Sequence, residues 1–227
     1  MTTYEVAGQT VTMPVQVRDA SSGTVMWEVD ADSAQRLLPD AFQVVETSPG
    51  RANLALALVD YRDNDLGAYL EVGVILFVRP RTGGDDGNHI RHLPVDQPFT
   101  CEAGRRIWGF PKTLQSIERD DSDTSSTWTL TMDGELALRV TLPRGGSDDA
   151  PELPMTSYTL IDGVPHATAF TQWGTGSSLT IGGDGVALEL GPHAVGKELA
   201  GLGLPSEPVL STWTERMQAT FEAPQPL

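Results

Sequence analysis

Short stretches of alternating apolar and polar residues, punctuated by turn residues, run along most of the chain. Val11, Met13, Val15 and Val17 alternate, Ser21-Ser22-Gly23 predicts a turn, and Thr24 to Val29 predicts a returning strand, so the segment reads as a hairpin. Asp32 or Ser33 is placed to cap a short helix that runs through Leu38 and stops at Pro39, and Phe42 to Glu46 resumes a strand. Leu54, Leu56 and Leu58 alternate with Ala55 and Ala57, and 68–78 is almost continuously apolar; both predict inner strands. Within the second, Glu71 is costly unless it is paired or faces a cavity. The run 79–88 predicts a loop or hairpin tip.

Asp96 and Pro98 predict a helix start, Phe99, Ala103 and Ile107 its apolar face, and Gly109 with Pro111 its end. Further strands are expected at 114–118, 128–132 and 136–142, the last two joined by an Asp133-Gly134 turn. Others follow at 158–161, 167–171, 179–181, 186–190 and 209–221, with one helix near 192–202. Roughly a dozen strands against two or three helices predict a mainly β (α+β) fold, a closed or partly closed barrel with helices outside, because closure disposes of sheet edges. At 227 residues a barrel of this kind is expected to form one domain, 1–227.

Composition sharpens the picture. A formal charge of −16 disfavours nucleic acid and anionic membranes as partners, and an anionic substrate would need a locally basic pocket. No apolar run approaches the ~18 residues of a membrane span, and the N-terminus lacks a signal-like core, so a cytoplasmic location is expected. A lone cysteine, Cys101, excludes an intrachain disulfide and a cysteine-cluster metal site and reads as a packed helix residue. His89 and His92 have a His-x-x-His spacing followed by Asp96, but residues three apart on a strand face opposite sides, so no metal site is expected.

Of the fifteen basic residues thirteen are arginine; the two lysines are Lys112 and Lys197. Lys197, between Gly196 and Glu198, reads as a solvated charge. Lys112 ends the run Ile107-Trp108-Gly109-Phe110-Pro111-Lys112, which has no other ionisable group. Two readings fit: a stem lying on Trp108 with its head in water, or an amine whose pKa desolvation lowers until it can act as a nucleophile.

The wording of three segments adds a family. Gly104-Arg105-Arg106 followed by Phe110-Pro111-Lys112 resembles the Gly-Arg-Glu and aromatic-Pro-Lys signature of the acetoacetate decarboxylase-like superfamily. Tyr69-Leu70-Glu71-Val72-Gly73 resembles its Tyr-x-Glu-x-Gly strand, and Arg36 to Phe42 its short helix ending in Leu-Pro. The resemblance implies a double-sided, cone-like β-barrel in which Lys112 forms a Schiff base with a small keto acid and Glu71 lines the same pocket and moves the proton. It also implies a homo-oligomer and no cofactor. Trp108 and Phe110 are expected to line the substrate pocket, and Arg105 to clamp a carboxylate.

Three departures stand out: Thr113 where the decarboxylase has a second lysine, Arg106 in place of an acid, and Leu56 where a second pocket glutamate falls by counting. The expected activity is decarboxylation of a 3-oxo acid. The alternatives are aldolase-dehydratase chemistry on pyruvate-type substrates through the same lysine, or a barrel that binds without reacting.

Overall fold

The computed structural model describes residues 2–227. In chain order the strands and helices are β1 (Thr3–Val6), β2 (Gln9–Thr12), β3 (Val15–Asp30), α1 (Ala31–Gln35), β4 (Phe42–Val44), β5 (Glu46–Ser48), β6 (Arg51–Asn64), β7 (Tyr69–Pro80) and β8 (Gly87–Val95). There follow α2 (Pro98–Trp108), β9 (Lys112–Leu114), β10 (Ser116–Asp121), β11 (Ser125–Met132), β12 (Glu135–Pro143), β13 (Asp148–Ile161), β14 (Val164–Ile181), β15 (Ala187–Leu190), α3 (Ala194–Gly201), β16 (Leu210–Phe221) and β17 (Gln225–Pro226).

Seven strands close on themselves in the order β7-β6-β3-β16-β14-β13-β8, with β8 returning to β7. The ring is antiparallel except at β13 and β8. A second sheet, β10-β11-β12-β15, lies against the outer face of β3, β6 and β7. That layer explains the near-continuous apolar strands. On β6, Leu54, Leu56 and Leu58 point outward into the interlayer core with Trp128, Leu130, Leu138 and Leu142, while Ala55, Ala57 and Val59 point inward. On β7, Val72, Val74 and Leu76 join the same core, while Glu71, Gly73 and Ile75 point inward. Both faces are covered, so apolar residues occupy both parities. A second core, gathering the β1-β2 hairpin, α2 and the ends of β6, β7 and β16, closes one end of the barrel.

The expected hairpin at Ser21-Ser22-Gly23 is instead the middle of the sixteen-residue strand β3. The small residues serve packing: a Cβ on Gly23 would stand 2.6 Å from Leu142 and 3.1 Å from the Trp213 ring, and Ser21 and Ser22 are buried. The alternation at 11–17 spans two strands, because Pro14 has no N–H to continue the ladder. Asp30, two or three residues earlier than read, caps α1 by accepting from the Ser33 N–H at 2.8 Å. The segments 167–171 and 179–181 belong to one strand, β14. The Asp133-Gly134 turn forms as read, with both residues at positive φ (51° and 83°).

Candidate active site

The barrel encloses a cavity of about 730 Å³. Lys112 enters it from β9, the short strand that follows α2 and lies parallel to β8, with Lys112 opposite Leu93. Gly109, left-handed at φ 68°, ends α2, and the chain turns back so that Lys112 runs beneath the helix. Its stem crosses Gly104 so closely that a Cβ there would stand 2.5 Å from Lys112 Cδ. A residue larger than glycine would push the lysine off its path. Thr100, four residues earlier on the same helix face, accepts from Nζ at 2.9 Å through its hydroxyl.

The other partners come from β7. Strand alternation puts Tyr69 and Glu71 on one face, and both point at the amine. Lys112 Nζ lies 2.9 Å from Glu71 Oε2, donates to Tyr69 Oη at 3.4 Å and sits 4.7 Å from the Tyr69 ring centre. Tyr61, opposite Tyr69 on β6 and stacked on it at 4.4 Å, donates to Glu71 Oε1 at 3.3 Å. Oε2 accepts no aligned hydrogen bond despite the short approach to Nζ. One carboxylate oxygen is thus held by tyrosine, and the other faces the amine.

The electrostatics differ from the expectation of a simply desolvated amine. Burial pulls the Lys112 ammonium down, but the charge of Glu71, seconded by Tyr69, overcomes it and leaves the pKa above the ordinary lysine value. Lys112 therefore rests as the ammonium. Burial, with the Glu71 carboxylate beside it, pushes the Tyr61 hydroxyl well above 10, so Tyr61 stays a donor. Burial likewise raises Tyr69, against the pull of Lys112.

Lys112 is 5% exposed, which rules out a head resting in water. Trp108 and Phe110 line the cavity beside it, stacked at 5.7 Å. Arg105 is not brought in. Ala103, Gly104, Ile107 and Trp108 occupy the buried face of α2, and the helical period turns Arg105 and Arg106 to solvent. Leu56 is not a pocket position either: it faces the interlayer core, and the cavity side of β6 carries Ala55, Ala57, Val59 and Tyr61. Thr113 is exposed, on the face of β9 away from Nζ.

His89 Nδ1 meets the Tyr158 carbonyl at 2.8 Å, with the ring 5.2 Å from Phe42, whereas His92 Nε2 meets Glu198 at 2.7 Å. Among the described residues no group of three or more His, Cys, Asp or Glu could hold a metal. Cys101 is buried in α2 and Lys197 exposed on α3. No helix among the described residues is long and apolar enough to cross a membrane.

A lysine in a barrel cavity, paired with a strand glutamate and shaped by a helix glycine, is the arrangement that the Gly-Arg and Phe-Pro-Lys segments suggested. The family comparison agrees: the acetoacetate decarboxylase (ADC) family matches residues 1–221. The chain belongs to the acetoacetate decarboxylase family.

Among solved structures, the acetoacetate decarboxylase of Legionella pneumophila superposes with a TM-score of 0.69 at 20% identity, over 94% of this chain and 87% of that one. The enduracididine biosynthesis enzyme MppR in complex with pyruvate gives 0.67 at 16% identity, over 95% and 91%. These likenesses concern the fold. A decarboxylase of Cochliobolus heterostrophus, DEC1, is 28% identical over 109 residues, which are 48% of this chain but only 41% of that protein.

Thr100 and Tyr61 were not legible as site residues in the sequence. Thr100 carries a usable signal, its four-residue spacing from Gly104. Tyr61 has none, since its place depends on the β6-β7 register.

Proposed function

We propose that this protein decarboxylates a 3-oxo acid through a Schiff base on Lys112. The observation that carries the reading is the buried Lys112–Glu71 pair, with Oε2 facing Nζ at 2.9 Å and no competing hydrogen bond. Glu71 Oε2 takes a proton from the ammonium as the ketone arrives, and the freed amine attacks the C3 carbonyl. The carbinolamine oxygen leaves as water, using the proton held on Glu71, and a protonated imine remains. The C1–C2 bond then breaks, its electron pair moves to the C2=C3 enamine, and carbon dioxide departs. Protonation at C2 and hydrolysis release the ketone and restore the lysine.

Decarboxylation is favoured over aldol chemistry on a 2-oxo acid by the charges lining the cavity. Lys112 is the sole cationic side chain among its lining residues; neither arginine nor histidine contributes. A carboxylate that must survive the cycle needs a partner there, whereas one that leaves as neutral carbon dioxide is helped by apolar walls and by the nearby Glu71.

The test is to supply 3-oxobutanoate and measure carbon dioxide and acetone, and separately to supply pyruvate with an aldehyde and look for condensation. Stoichiometric carbon dioxide and acetone, lost in Lys112→Ala, support the proposal. Condensation without decarboxylation contradicts it.

A further inference from the structure

The catalytic groups occupy a small part of the cavity. Resting on the Schiff-base reading above, we infer that the substrate is a 3-oxo acid carrying a long apolar substituent at C4, rather than the four-carbon acid itself. Three observations converge.

The first is size. A four-carbon keto acid fills on the order of 100 Å³, a few times the ~30 Å³ of a water molecule, against about 730 Å³ here. The second is direction. The inward positions of β7 run from Glu71 through Gly73 and Ile75 to Phe77, all lining the cavity. Six steps at ~3.3 Å carry it roughly 20 Å from the carboxylate.

The walls along that path are small or apolar. Each row of the barrel register can be read in turn. Next to the Val59–Glu71 pair comes Ala57 with Gly73 and Thr24, and next Ala55 with Ile75 and Met26. The space beside Gly73 is not demanded by packing, since a Cβ there would meet Leu93, Ala57 and Ile75 only at 3.4–3.6 Å. Alanine and glycine leave a groove where larger residues would fill the barrel.

The third is the rim. Leu153 and Leu179 line the cavity while remaining 57% and 61% exposed, so apolar surface reaches its mouth. Asp148, Asp149 and Glu152 also line it, and apart from Lys112 its lining residues include no basic side chain. An uncharged tail is admitted there, and a second carboxylate or a phosphate is repelled.

The test measures kcat/KM for decarboxylation of 3-oxobutanoate, 3-oxooctanoate, 3-oxododecanoate and the dicarboxylate 3-oxoadipate, with borohydride trapping of each on Lys112 read by intact mass. Each buried methylene should contribute roughly three- to four-fold, so the eight-carbon acid should exceed the four-carbon acid on the order of 100-fold. The dicarboxylate should fall below the eight-carbon acid. Ala55→Phe, which narrows the groove two rows beyond Glu71, should erase the chain-length gain while leaving 3-oxobutanoate trapping intact.

A flat or falling series in the parent, with 3-oxobutanoate still trapped, overturns the long-chain inference and leaves the Schiff-base reading standing. Absence of any lysine adduct across the series overturns both. The parent series alone decides if Ala55→Phe does not fold.

Discussion

Two charge clusters lie on opposite faces of the barrel wall, one buried inside and one half-buried outside, and they are built in opposite ways. Outside, Arg119 from β10 sits between the barrel and the second sheet, donating to Ser21, Asp60 and both oxygens of Asp121 at 2.7–3.0 Å. It stacks over Trp128 and Trp213, each at 5.4 Å. Arg144 extends the chain to Asp121 and Glu215, and Trp213 Nε1 donates to Glu215 at 2.8 Å. Each carboxylate of that network accepts from a guanidinium, Asp121 from a fork of two Arg119 nitrogens. Inside, no arginine takes part: Lys112 Nζ meets Glu71 and the hydroxyls of Thr100 and Tyr69, Tyr61 donates to Glu71, and the pair faces the open cavity. A satisfied network fixes structure, because each charge has a definite partner and moving any one strands another. A lysine–carboxylate pair next to open space can exchange a proton and admit a substrate. Arginine serves in the first and lysine in the second because only lysine can surrender its proton.

The largest expected effect lies inside. Lys112→Ala should abolish turnover, a loss on the order of 10⁴-fold or more, while urea unfolding shows a folded protein. Lys112→Arg should be equally inactive, since it keeps the charge and loses the nucleophile.

Glu71→Gln comes next, with a fall of roughly 10²- to 10⁴-fold in kcat. It should also move the pH profile. Burial's downward pull on Lys112 is then opposed by Tyr69 without the glutamate charge, so the amine titrates lower than in the parent. The alkaline rise in imine formation should shift to lower pH. An unchanged profile would detach Glu71 from the lysine.

Arg119→Ala should do the reverse. Stability in urea should fall by about 3 kcal/mol, because the hydrogen bonds of the guanidinium to Ser21, Asp60 and Asp121 and its stacking on two tryptophans are lost, while lysine trapping per folded molecule is retained. If trapping fell in parallel, the division between the two clusters would fail.

The smallest effect sharpens the same contrast at α3. Burial pushes the Glu198 carboxyl up, but hydrogen bonds from His92 and Arg91 outweigh it and hold the pKa at about 2. A carboxyl depressed in the folded state stabilises above its unfolded value of 4.5, and that stabilisation is lost as pH falls toward 2. It amounts to at most about 3 kcal/mol. Glu198→Gln should remove that part of the acid dependence of urea midpoints between pH 5 and 2, and leave turnover unchanged.

The alternation of β6 shows what the sequence could convey. Leucines at 54, 56 and 58 and alanines at 55 and 57 announced a strand with two distinct faces, which is correct. The leucines, however, face a second sheet, and the alanines face the cavity. Periodicity gives parity, and only tertiary closure says which parity is inside. The same limit explains Leu56 as a misplaced pocket position and Ser21-Ser22-Gly23 as a false turn: small residues that admit a tryptophan resemble residues that bend a chain.

Lys112 and Glu71 were legible because the Phe-Pro-Lys and Tyr-x-Glu-x-Gly segments are local in sequence, and Trp108 and Phe110 came with them. Arg105 lies outside the cavity because the helical period, and not its charge, decides which way it points. The raised pKa of Lys112 was not legible, since it depends on Glu71 lying across forty residues of chain.

The central claim is that Lys112 forms an imine. It is tested most directly by borohydride reduction in the presence of a 3-oxo acid, followed by peptide mapping of the modified residue. One adduct per chain, on Lys112 and absent from Lys197, is the predicted result. A folded protein that turns over substrate with no adduct, or with the adduct on Lys197, would contradict it.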